Sequence, residues 1–172
     1  MAREKELQLL GLSHLAEQVA SAPALVNRQE TFEKPLTDVD VWSLYTYEQP
    51  DNLGLDPVNL APWLGVLWDP VKLAGPECSQ TQLLWRLGHV VERLAAALGP
   101  GADWVGIYRV VEEQHGAKSL LKLAYRGSIS RGLFPLTEAF AAGSNNSSCA
   151  LSRRAKVVED TALLNPGEPY YE

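Results

Sequence analysis

Apolar residues recur at helical spacing over Thr81–Leu98, where Leu84, Leu87, Val91, Leu94 and Leu98 form a stripe that Leu83 and Val90 widen. This pattern predicts the clearest helix of the chain. Ser79 or Thr81 supplies its capping oxygen, and Gly99 ends it. The period then changes. Trp104, Val105, Ile107 and Tyr108 suit a pleated, half-buried surface, and Val110 and Val111 prolong the run. A turn around His115-Gly116 leads into a second strand, Leu120–Tyr125. Phe134-Pro135-Leu136 reads as a short extended piece, because Pro135 biases its predecessor away from helix. Gly143–Ser148 reads as a loop, Ser148–Arg154 as the start of a helix, and Arg153–Asp160 as a helix end leading into a third strand. Helices mixed with a hairpin and short strands in this order predict an α+β fold.

The first part of the chain is less regular. Glu4–Ala22 has the spacing of an amphipathic helix, with Leu7, Leu10, Leu15 and Val19 near one face and Pro23 at its end. Asn27–Pro50 predicts only weak local structure. Pro50–Pro76 is broken by proline and glycine, which prevents long elements. Yet Leu60, Trp63, Leu64, Leu67 and Trp68 are too apolar for a solvated linker. They predict a wrapped arm that docks on the domain C-terminal to it. The pattern divides the chain into an irregular helical extension over 1–78 and an α+β domain over 79–172.

Composition narrows the function classes. Apolar residues make up 46% of the 172 residues and charged residues 21%, enough for an unstapled core. The net charge of −6 gives no electrostatic footprint for nucleic acid. No apolar run approaches the length that spans a bilayer. The mixed charges of Met1–Glu6 are not those of a secretory signal. The two cysteines, Cys78 and Cys149, make no disulfide framework, so a cytoplasmic location is the reading these features give. His14, His89 and His115 form no set with zinc-site spacing, and no glycine-rich phosphate motif is present. No metal or cofactor is therefore expected.

Several short motifs carry a resemblance. Trp104, Gly106, Ile107 and Tyr108 after a leading helix, then Tyr125-Arg126-Gly127, then Val158-Glu159-Asp160, come in the order found in GAF domains. Over roughly Thr81–Glu172 the chain is most similar to the free methionine-(R)-sulfoxide reductases. The resemblance implies an antiparallel GAF-like sheet flanked by helices, a small-molecule ligand and pairing into a homodimer through the leading helices. It also implies two further strands beyond Glu172, so that the chain reads as a fragment of a longer one, or takes those strands from another chain, or covers the exposed surface with its N-terminal arm. The family's chemistry needs a thiolate that attacks sulfur and a second thiol that resolves the product. The positions matching two family cysteines hold Asn146 and the loop Ser128-Ile129-Ser130-Arg131, and the attacking cysteine would come after residue 172. Binding without completed catalysis is thus the leading expectation. A thiol-dependent reductase and a dimerising interaction module are the alternatives.

The ligand is expected over the sheet, beneath the segment Phe134–Ser148, in contact with Trp104, Tyr108, Tyr125, Phe134, Asn145, Asn146, Ser147 and Asp160. Trp104 and Tyr108 serve either as an aromatic pocket wall or as plain core. Asn145, Asn146 and Ser147 open a helix, where free N–H groups and short side-chain oxygens suit a carboxylate or phosphate, or simply cap that helix. Asp160 ends its strand either at a pocket or in a turn. Cys149, the one catalytic candidate, is either a thiol activated at a helix start or a small buried hydrophobe beside Ala150 and Leu151.

Overall fold

A computed structural model describes residues 34–158. The Glu4–Ala22 helix, Glu159, Asp160 and the start of Asn27–Pro50 lie outside the described residues, whereas residues 154–158, expected to lead into a third strand, carry no regular structure. The described residues form two compact units. One holds residues 34–109 and Leu121–Gly132, the other Val110–Leu120 and residues 133–158. The architecture is α+β, with helices and antiparallel strands interspersed along the chain.

In the first unit, α1 spans Asp38–Tyr45. Sequence pattern predicts only weak structure here, and the difference lies in a capping box. Thr37 Oγ1 accepts from Asp40 N at 3.2 Å, while Thr37 N donates to Asp40 Oδ2 at 3.0 Å. Aspartate plays the part that glutamate usually takes in this motif. Helix α1 buries Val41 and Tyr45, one turn apart. The strands β1 (Thr46–Tyr47) and β2 (Val58–Asn59) pair antiparallel, with Tyr47 opposite Val58. The proline-rich stretch supplies 3₁₀ turns and the short helix α2 (Pro70–Leu73), capped by Asp69. It docks only in part. Leu60 and Ala61 are buried, whereas Leu67 and Trp68 stay exposed, with Trp68 edge-to-face on the more exposed Trp42 at 5.6 Å.

Helix α3 spans Ser79–Leu98 and packs on α1. Its buried stripe is Thr81, Leu84, Val91 and Ala95, rotated from the leucine stripe predicted by spacing, and Leu83 and Leu98 are exposed. The cap also differs. Cys78 occupies the N-cap with no side-chain bond, because the Thr81 hydroxyl is buried and donates to Leu73 O at 2.7 Å. With that proton committed, Tyr45 donates to Thr81 Oγ1 at 2.9 Å. Burial pushes the Tyr45 hydroxyl up to about 12.

Strands β3 (Trp104–Glu112), β4 (Lys118–Gly127) and β5 (Leu133–Pro135) form a sheet in that order. Among the described residues β4 therefore lies between β3 and β5. Ser119 through Leu123 are all buried, as befits a strand paired on both sides. The hairpin closes where sequence places it. His115 and Gly116 both take left-handed backbone, and Glu113 N donates to Ala117 O at 2.6 Å.

The second unit carries α4 (Glu138–Ala141), capped by Thr137, and α5 (Asn145–Ser152), both packed on β5. Helix α5 starts three residues before the predicted point. Ser144 is its N-cap, its Oγ accepting from Ser147 N at 3.2 Å. The polar run expected as a loop is thus the cap and first turn of the helix, which short hydroxyl and amide side chains favour.

Candidate functional site

Trp104 and Tyr108 are half-buried, with ring centroids 5.8 Å apart and planes tilted by 31°. Both lie on one face of β3, and Gly106 between them explains the Trp-x-Gly spelling. A Cβ at Gly106 would strike the Trp104 indole, so the ring lies flat across the strand only because that position has no side chain. Trp104 Nε1 is buried and has no hydrogen-bond partner.

Phe134 sits on β5, edge-to-face with Phe140 at 6.4 Å. At the start of α5, Ser147 is fully buried, and its hydroxyl has no partner even though its N–H is capped by Ser144. Asn145 Oδ1 is likewise buried and unpaired. Asn146 is half-buried in the same turn. The predicted set is thus distributed between the units. Trp104, Tyr108 and Tyr125 belong to the first, and Phe134, Asn145, Asn146 and Ser147 to the second. Asp160 lies outside the described residues.

The cysteines do not form a pair, since Cys78 and Cys149 are both free thiols. The earlier start of α5 puts Cys149 beyond the first helical turn, where the influence of the helix terminus has faded. Cys78 is the perturbed thiol. Burial pushes it up, but the polar groups around it, the Thr81 hydroxyl and backbone, the Tyr45 hydroxyl and the Gln80 backbone, outweigh burial and hold it below the ordinary 9.0.

Lys122 is the feature that the sequence pattern did not single out. It lies on β4 with no exposed surface. Its Nζ donates to Ser130 O at 2.8 Å and to Ser130 Oγ at 3.0 Å. The same ammonium stands 3.8 Å from the Tyr125 ring centre and 4.8 Å from that of Tyr47. Tyr47 itself donates to Lys122 O at 2.8 Å, and Tyr47 and Tyr125 meet edge-to-face at 5.6 Å. Burial draws Lys122 down from 10.5 to about 8. Burial, reinforced by Tyr125 and Tyr108, drives the Tyr47 hydroxyl well above the phenol range. A signal was present in sequence. Lys122 interrupts Leu120-Leu121 and Leu123-Ala124, and a charge inside so apolar a run is not on a solvated face.

Among the described residues no group of three or more His, Cys, Asp or Glu could hold a metal ion, and no helix is long and apolar enough to cross a membrane. Compared with known protein families, with curated proteins and with solved structures, the chain matches none.

Proposed function

We propose that this chain is a cytoplasmic small-molecule-binding module of GAF type, which holds its ligand without transforming it. One observation carries the reading. Three buried polar atoms without partners, Trp104 Nε1, Asn145 Oδ1 and Ser147 Oγ, belong to residues that the sequence pattern nominates as ligand contacts. Buried polar atoms in native proteins are nearly always paired, and each unpaired one costs about 1–3 kcal/mol. In the first unit, a ligand that presents an acceptor to the indole offsets that cost, and the aromatic ribbon of Trp104 and Tyr108 suits the apolar body that such ligands have. In the second unit, a donor and an acceptor presented to the first turn of α5 would do the same for Asn145 and Ser147. The order of the Trp-x-Gly and Tyr-Arg-Gly motifs supports the GAF assignment.

The test is thermal unfolding against a panel of small amino acids and carboxylates that includes free methionine sulfoxide. A compound at about a hundred times its dissociation constant stabilises by about 2.7 kcal/mol, a clear rise in Tm. Ser147→Ala is expected to stabilise the ligand-free protein, since it deletes a buried hydroxyl without a partner, and to diminish the ligand-induced rise. A panel that moves nothing, or thioredoxin-coupled consumption of methionine sulfoxide, would overturn the proposal.

A further inference from the structure

We propose that the 128–132 loop is a proton-driven gate over β4, in which protonation of Lys122 favours the open loop and loss of that proton favours the closed one. The geometry supplies the coupling. Lys122 has no exposed surface, and Ser130 occupies its amine through both a carbonyl and a hydroxyl oxygen. Drawing Ser130 away would strip the amine of both of its oxygen partners and open it to water. Ser128 and Ile129 in the same loop are exposed, so little packing opposes that movement. Gly132 ends the loop, its N–H donating to Gln49 Oε1 at 2.8 Å and its carbonyl accepting from Lys122 N at 2.9 Å. What an open loop uncovers is a primary amine resting on the faces of Tyr47 and Tyr125.

The sign opposes first intuition. The hydrogen bonds and ring faces favour the ammonium, which suggests that the proton locks the loop shut. Desolvation is larger, because among the described residues no carboxylate pairs with Nζ. The amine therefore holds its proton with a midpoint of about 8 when closed and near its ordinary 10.5 when hydrated. Between those midpoints the open loop carries more protons, so a rise in pH closes the gate and a fall opens it. The other titratable groups near the amine do not reverse this. Tyr47 is held up by burial and by Tyr125 and Tyr108, and Tyr125 by burial and Glu48, so neither phenol adds a negative charge beside the amine around its closed-state midpoint.

Hydrogen exchange at the Gly132 and Lys122 amides, corrected for the intrinsic rate at each pH, reads the gate directly in the whole chain. With these midpoints the opening equilibrium should fall about tenfold between about pH 7 and about pH 9. In Lys122→Met, an apolar side chain of similar length, the dependence should vanish. An opening equilibrium that is flat with pH in the parent, or that keeps its slope in Lys122→Met, would refute the gate. The parent protein alone gives an independent check, through the carbon chemical shift beside the lysine amine. A midpoint near 8 supports the gate, whereas one at 10 or above removes its driving force. The proposal does not depend on the ligand reading.

Discussion

Single residues in this chain are fixed by what stands next to them. Gly127 has φ +112°, and a Cβ there would meet the backbone carbonyl of Asp103. Neither obstacle can move without shifting the β3–β4 pair. Gly88, inside α3, has open space around the position of a Cβ. The two glycines should therefore respond in opposite directions. Gly127→Ala is expected to cost at least about 2 kcal/mol, from left-handed strain and the clash together. Gly88→Ala should gain about 0.5–1 kcal/mol by restricting the unfolded chain. Chemical denaturation of both variants checks the pair. Equal effects would mean that the Gly127 backbone is not held as described.

At the level of elements, the sequence disclosed period and punctuation but not which side of an element is covered. The α3 helix, the hairpin at His115-Gly116 and the extended piece at Phe134-Pro135 stand where their patterns put them. Helical spacing is visible in α3, yet the buried stripe includes Thr81 and Ala95 rather than Leu98, because α1 and Leu73 set the contact side. Lys122 is hidden for the same reason. Its chemistry comes from being on the central strand, and strand order is not written in a local pattern. The candidate site is readable as residue types, since Trp104, Asn145 and Ser147 stand out in the sequence alone. Their missing hydrogen-bond partners are not readable there, because partners depend on tertiary placement. Helix α1 escapes for a subtler reason, a capping box spelled with aspartate. Thr37→Ala should remove about 1 kcal/mol of stability, and loss of helical signal confined to Asp38–Tyr45 would be its local signature. Unchanged stability would show that tertiary contacts of Val41 and Tyr45 hold the helix without its cap.

For the chain as a whole, the most distant connections described include polar ones made by β1 and the residues after it. Tyr47 reaches the carbonyl of Lys122, 75 positions along the chain, and Gln49 reaches the amide of Gly132, 83 positions along. Leu60 N bonds to Tyr45 O at 2.8 Å beside the β1–β2 ladder, and Leu60 and Ala61 are buried. The turn between these strands, by contrast, carries exposed Asp51, Asn52, Gly54 and Leu55. Continuity of the backbone at that turn is therefore dispensable once folding is complete. A protease site introduced at Gly54 should yield a nicked protein whose halves co-elute under native conditions and part only in denaturant. Halves that drift apart without denaturant would mean that the covalent link, not the stitching of β1 to the far end of the chain, keeps the pieces in register.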